Sequence, residues 1–444
     1  MKVPLPLYDV LELDEERMTV RVEPMVTVGD ITRYLVPRGY TLAVTLEIAD
    51  ATLGGLAFGV GMTTYSHKVG LYQETITEYE VVLGDGSLVV ASRDNEHSDL
   101  YHCLPWSHGS LAFLVGLTLK IVPVKPYIHM RYIPVRGQQK YCDLIRQISG
   151  ADRADTVVPD YVEATIYSKE EAVIMVGNFA DVTTPEEASK VNRVTRWYKP
   201  WFYKHVQTFL ETGEGEEYIP LREYLLRHDK AIFWVLESMI PFGNHPLFLF
   251  FLGWMLPPKP AFMKLTTTPT VRAMTFTKQV FQDIVLPINR LEDQINISHE
   301  LFDTYPVLVY PCRIYDHGKH RGQLRPPPGG PDGSGDQLRD VQRPRGVRGA
   351  QAGEGEETLG RRHRHEEDGG VHQVDLQFWC RILSKNPDKM IQCSLLRSVG
   401  GYHFLYADTF LSRQEFEEMF DLTAYELVRK KYHAEGRFEL INFG

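Results

Sequence analysis

Residues Thr52 to Leu71 read TLGGLAFGVGMTTYSHKVGL and contain five glycines: Gly54, Gly55, Gly59, Gly61 and Gly70. Glycine lets backbone approach a ligand closely and take positive φ at no steric cost. Successive amides in such turns form an anion-binding concavity. The G-x-G-x-x-G spacing of a dinucleotide-binding turn is absent, and no Gly-Lys-Ser/Thr follows as in a phosphate-binding loop. From composition alone the run is either a glycine-rich structural turn or a backbone cradle for phosphate.

On the N-terminal side, Tyr8 to Leu13 and Met18 to Val22 alternate apolar and polar across an Asp14-Glu15-Glu16 turn, which predicts a hairpin. Thr27 is placed as the N-cap of a helix, with Asp30 three residues on and Gly39 ending it. The chain thus starts inside an α+β unit, so its first layer is expected to lie upstream. On the C-terminal side, strands are predicted at Thr77 to Leu83 and Ser87 to Ala91, with the turn Gly84-Asp85-Gly86 between them. A loop at Trp106 to Ser110 leads into a β-prone run, Phe113 to Val124.

From about Pro126 the pattern changes. Strands are predicted at Tyr127 to Pro134, Tyr161 to Tyr167, Ala172 to Gly177 and Tyr305 to Tyr310, and helices at Lys140 to Gln147, Pro185 to Val194 and Thr270 to Val285. Aromatics crowd Trp197 to Trp254, as a second core or as a wall around a bulky apolar substrate. The run Pro246 to Leu256, PLFLFFLGWML, is too short to cross a bilayer and reads as core, with an apolar patch for membrane or ligand as the other reading. From Asp316 to Asp375 there is no Ile, Phe, Tyr, Trp or Met, so the segment is expected to be disordered. Order returns at Gln377 to Leu383, at a strand Tyr402 to Ala407, at a helix capped by Ser412 and at Ala424 to Tyr432.

A formal net charge of −10 argues against nucleic acid as a partner. The five cysteines are scattered without a C-x-x-C pair, so neither a zinc site nor a disulfide framework is expected, and no metal is. No signal peptide starts at Met1, and no run is long enough for a transmembrane helix.

The separate runs Val20 to Pro24, Ser66 to Leu71, Tyr79 to Gly86, Ser98 to Tyr101, Pro105-Trp106-Ser107, Tyr198 to Phe202, Glu217 to Pro220, Pro241-Phe242-Gly243 and Leu405 to Asp408 occur in one order. In these the chain resembles the Δ24-sterol reductases, flavoproteins with the vanillyl-alcohol-oxidase-like (PCMH-type) FAD-binding fold. The resemblance covers about residues 8 to 312 and 398 to 440. It implies an α+β fold: a partial FAD-binding domain over 1–125, then an α+β substrate domain with an antiparallel sheet over 126–315. Residues 316–376 match nothing in the family, as a shifted reading frame or retained intron would produce, and 377–444 complete the substrate domain. The family carries an anchor helix and a first FAD subdomain upstream, so the chain is expected to begin after both and to be bound to the endoplasmic reticulum membrane through the longer protein.

The resemblance assigns FAD binding to Thr52, Leu53, Gly54, Gly55, Leu56, Ala57, Phe58, Gly59, Val60, Gly61, Met62, Thr63 and Thr64, with His67 beside them and Trp106 and Ser107 lining the flavin from the other side. The implied reaction reduces the isolated Δ24 side-chain double bond of a sterol, with NADPH as electron donor. No carbonyl polarises that bond, so a proton must reach one carbon as hydride reaches the other; protonation at C24 leaves tertiary C25 to take the hydride. Tyr406 is the leading proton donor and Asp408 its orienting partner. His228, after Arg227, reads as a solvated helical face, and Glu163 and Glu80 as structural strand residues. Two alternatives are a PCMH-fold oxidase of an alcohol or sugar, which the aromatic block disfavours, and a non-catalytic sterol- or flavin-binding product.

Overall fold

The N-terminal hairpin forms because β1 (Val10–Asp14) and β2 (Thr19–Val22) turn about Asp14, whose Oδ1 accepts from the amides of Glu16 and Arg17 at 3.0 and 2.8 Å. Val20 and Val22 point inward and are fully buried. Thr27 caps the helix Val28–Leu35 by accepting from the Asp30 amide, and Gly39 leaves it at φ +84°. With β3 (Tyr40–Leu42), β4 (Ile76–Val82), β5 (Leu88–Ser92) and β6 (Phe113–Pro123), the hairpin completes a six-stranded antiparallel sheet in the order β1-β2-β6-β4-β5, with β3 also on β6. Arg21 on β2 reaches Glu80 on β4 at 2.5 and 2.7 Å across β6, so Glu80 is structural as read. Gly116 makes room for it: a Cβ there would lie 2.8 Å from the Glu80 carboxyl carbon.

The computed structural model describes residues 6–151, 157–257, 279–315, 317, 322–324, 371–381, 401–403 and 412–438. Its second sheet is eight-stranded and antiparallel. It comprises β7 (Tyr127–Arg136), β8 (Tyr161–Ser168), β9 (Glu171–Ala180), β10 (Gly215–Pro220), β11 (Gln279–Pro287), β12 (Val307–Ile314), β13 (Val371–Arg381) and β14 (Tyr402–His403), in the order β10-β7-β9-β8-β12-β13-β11-β14. On one face, Ala164, Ile166 and Ile174 pack with Tyr141 and Ile145 of the helix Gln138–Ile148 and with Leu291 and Ile295 of the helix Leu291–Phe302. On the other, Tyr132, Tyr161 and Met175 pack with Phe202, Val206 and Tyr224. A fully covered sheet has no reason to alternate, so β8 is buried through six consecutive residues.

Four expectations are corrected. The helix expected over Thr270 to Val285 is a strand where it is described: β11 pairs with both β13 and β14, and backbone bonding on two edges overrides helical periodicity. Residues 258–278 lie outside the described residues. The expected disorder over 316–376 fails at both ends. Residues 371–376 are the first half of β13, seated between β12 and β11. His317 bonds Glu74 at 2.9 Å, Gln323 is buried and Leu324 bridges to Phe420. Composition misses this because a two-sided strand is held by its backbone; residues 325–370 lie outside the described residues.

Only the end of the tail departs from the expectation for 377–444: Tyr402, Phe416, Met419 and Phe420 lie in the core of the second sheet, whereas the last helix does not. In the helix Thr423–Lys431, Tyr425 and Val428, followed by Tyr432, join the core of the first domain. Lys431 and the Tyr432 hydroxyl meet Asp99 at 2.6 and 2.7 Å, and the Ser110 and Tyr425 hydroxyls share a 2.6 Å bond. Finally, Pro246 to Leu256 is not core: of the helix Pro246–Leu252 and the turn after it, Leu249 and Gly253 are buried and the large apolar neighbours are mostly exposed.

Candidate functional site

The glycine-rich run folds as a short helix, Leu53–Gly59, capped by Thr52, whose Oγ1 accepts from the Gly55 amide at 3.3 Å. The Gly54 amide is spent on the Pro24 carbonyl at 2.8 Å. A Cβ on Gly54 would lie 2.5 Å from that of Pro24, so this glycine serves close packing of helix on hairpin. Gly54 and Gly55 therefore do not offer donors to a phosphate as expected. The chain leaves the helix through Val60 at φ +60°, a strained conformation for a β-branched residue. Beyond it, the buried amides of Gly61 and Met62 donate to no acceptor among the described residues. Thr63 turns back onto Ser66 Oγ at 2.9 Å.

The second loop lies against this helix end. The His108 amide donates to the Phe58 carbonyl at 3.3 Å, and the His108 ring stands 3.9 Å from where a Gly59 Cβ would be. Trp106 and His108 both take positive φ, +67° and +48°. The Trp106 ring is an anchor: its Nε1 donates to Gln73 at 3.0 Å, and it packs edge-on against Tyr402 and tilted against Phe420. Ser107 is fully buried and its hydroxyl has no partner. A buried polar group without a partner calls for a ligand group. FAD presents a diphosphate and a ring edge of alternating donors and acceptors. The unspent amides of Gly61 and Met62 and the Ser107 hydroxyl fit such a group.

His67, expected beside the cofactor, instead joins the two domains: its Nε2 lies 2.9 Å from the Pro159 carbonyl, and Lys68 pairs with Asp160 at 2.8 Å. The Thr64 carbonyl accepts from Val162 of β8 at 3.0 Å, and its hydroxyl meets that of Tyr224 at 3.2 Å. The glycine-rich run is thus tied directly to the strand that carries Glu163.

At this junction lies a buried ionic cluster, most of which the sequence reading passed over. Glu163 Oε2 accepts from Arg227 Nη2 at 2.6 Å and from its Nε at 3.0 Å, while Oε1 bonds His228 Nε2 at 2.9 Å. Arg227 also reaches Glu47 Oε1 and the Tyr310 hydroxyl, each at 3.4 Å. Glu47 arrives from the first domain on the loop after β3, which Asp229 holds by accepting from the Ala49 amide at 2.8 Å. All four titratable side chains are 1% exposed. His228 is therefore no solvated helical face, and Glu163 is more than a strand residue. Signals existed: Glu163 stands in a strand without polar alternation, where a carboxylate must be buried and paired.

One guanidinium cannot hold two buried carboxylates ionised. Burial pushes Glu47 up to about 7 against the pull of Arg227, with the Glu163 charge adding to the rise. Burial also raises Glu163, but Arg227 and His228 together hold it below the ordinary carboxylate value. Burial lowers His228, partly offset by Glu163. Toward neutrality the cluster then carries Arg227⁺, Glu163⁻, a neutral His228 and a Glu47 that is only partly ionised. Glu47 Oε2 and His228 Nδ1 are buried without partners. The His228 ring stacks on Phe233 at 4.8 Å, and Ile232 and Phe233 are both left-handed, at φ +46° and +58°. Five of the eight described non-glycine residues with positive φ thus fall at this ring and at the two loops, where strain of about 1–3 kcal/mol each must be held by the surroundings.

Tyr406 and Asp408 lie outside the described residues. No group of three or more potential metal ligands occurs among the described residues.

Residues 3–92 match the FAD binding domain family, which makes the protein a flavoprotein of α+β fold. Over 97% of its length the chain is 37% identical to the Delta(24)-sterol reductase of Homo sapiens, covering 75% of that protein. It is 36% identical to that of Arabidopsis thaliana over 97% of this chain and 73% of the relative. It is also 36% identical to the Delta(24)-sterol reductase homologue of Caenorhabditis elegans, over 95% of this chain and 74% of the relative. The chain belongs to the Delta(24)-sterol reductase family and is an FAD-dependent oxidoreductase.

Proposed function

We propose that the chain reduces the Δ24 side-chain double bond of sterols, with NADPH as reductant. The observation that carries this is family membership along nearly the whole chain, through both domains and the junction between them. FAD, when bound, supplies the two-electron chemistry that an isolated alkene needs. The amides of Gly61 and Met62 and the Ser107 hydroxyl are the groups that would hold it. The protein's remaining task is to exclude water and to deliver a proton to an unpolarised carbon.

Glu47 is the proton source that the geometry supports. It is sealed from solvent, keeps its proton to about neutrality, and has one oxygen without a partner. Arg227 and Glu163 fix its charge state, and Asp229 fixes its loop. His228 Nε2–H donates to the Glu163 carboxylate, which leaves Nδ1 as an acceptor able to pass a proton onward. Tyr406, assisted by Asp408, is the competing donor.

The test is turnover of a Δ24-unsaturated sterol with FAD and 4-deuterated NADPH. Expected are one NADPH per saturated side chain and product deuterium limited by exchange of the reduced flavin N5–H with solvent. NADPH oxidation that yields only peroxide would overturn the reading. Loss of proton delivery in Glu47→Gln but not in Tyr406→Phe would separate the two donors. Among the described residues no helix is long and apolar enough to cross a membrane; the endoplasmic reticulum membrane is the location that the family resemblance supports.

A further inference from the structure

The helix Pro246–Leu252 and the turn to Met255 project apolar side chains into solvent: Phe250 is 60% exposed, Phe251 65% and Trp254 68%, with Phe242, Leu247 and Met255 similar. Only isolated apolar residues are normal on a soluble surface; a contiguous patch marks a binding face. Its chemistry selects the partner. From Ser238 to Pro257 the sequence holds no aspartate or glutamate, in a chain whose net charge is −10. Arg196 and Lys199 flank Trp197, whose ring meets Phe250 at 5.7 Å, and neither pairs with a carboxylate among the described residues. Exposed Trp197, Tyr198 and Trp254 add rings with an apolar body and a polar edge, the type that settles at a membrane–water boundary.

The patch is also continuous with the buried cluster. From His228 the rings run Phe233 at 4.8 Å, Trp234 at 6.2 Å, Tyr203 at 6.3 Å and Trp201 at 6.2 Å. Trp201 closes on Gly243, where a Cβ would lie 2.6 Å from its ring. We propose that the Phe242–Met255 surface docks on an anionic lipid bilayer.

Vesicle co-sedimentation of the FAD-loaded chain tests it. Binding to phosphatidylcholine vesicles is expected, tighter when phosphatidylserine is mixed in. The triple variant F250S/F251S/W254S should lose about a hundredfold in affinity, since three buried rings are removed. R196E/K199E should lose the phosphatidylserine preference alone. Acyl chains labelled with bromine should quench fluorescence in the unmodified chain and less in W254F, which keeps the apolar surface and Trp197. Unchanged binding by the triple variant would overturn the proposal. So would a dimer that ignores vesicles and is dissociated by the same substitutions, which would make the patch a contact between two copies. If the chain binds vesicles but turns over no sterol, docking stands and the sterol reading falls. Turnover of detergent-dispersed sterol should survive in the triple variant, because it bypasses the bilayer.

Discussion

Two carboxylate–histidine clusters sit on the same eight-stranded sheet, and they differ in what is left over. At its far edge, Glu217 on β10 accepts from Tyr132 at 2.5 Å, from Asn192 at 2.8 Å, and from His205 at 3.1 and 3.2 Å, so both carboxylate oxygens are taken and what is left over is the neutral amide oxygen of Asn192. At the domain junction, Glu163 is equally well served by Arg227 and His228, but the cluster retains a second carboxyl, Glu47, with one oxygen unpartnered, and a ring nitrogen likewise. A buried carboxylate with both oxygens paired rigidifies a fold; a buried carboxyl with an open oxygen costs stability and persists only for a reason. The first cluster ties β10 to β7. The second joins strained backbone at Ile232–Phe233 to the loops that fit a flavin.

The largest expected effect separates the clusters by charge. Arg227→Met leaves Glu163 buried without its cation and should cost about 3–5 kcal/mol in chemical denaturation. Glu47→Gln keeps shape but removes the acid; turnover should fall about a hundredfold with flavin content unchanged. The same variant should alter the pH dependence of folding. Glu47 has a raised folded value, so its contribution is fully present below its unfolded value near 4.5 and is lost as pH rises to about 7. Denaturation followed from pH 4 to 8 should therefore show E47Q gaining on the parent by up to about 3 kcal/mol.

Glu217→Gln should behave in the opposite way, losing about 1–3 kcal/mol of stability while turnover stays within about threefold. If it lowered turnover as E47Q does, the distinction between the two clusters would fail. The smallest effect concerns the cofactor loops: Ser107→Ala should weaken FAD binding about fivefold, or ~1 kcal/mol, read by fluorescence titration.

The local sequence determined a good deal. The Thr27 and Ser412 caps, the Gly84-Asp85-Gly86 turn, the β1–β2 hairpin and the alternation in β2 depend on neighbours a few residues apart, and each forms as read; β1 pairs as read but does not alternate. The many ordered runs also identified the flavoprotein family. What the sequence did not determine depends on partners far along the chain. Glu47, Glu163, Arg227 and Tyr310 meet only after the two domains close, and a carboxyl's charge state is set by that meeting rather than by its own segment. The amides of Gly54 and Gly55 looked available until helix capping and Pro24 claimed them. PLFLFFLGWML looked like core because apolar runs usually find a covering layer; here the tertiary structure supplies cover for Leu249 and Gly253 and leaves most of their large apolar neighbours facing outward. Sequence fixes what a segment prefers to do alone, whereas burial, pairing and proton affinity belong to the contacts that folding brings together.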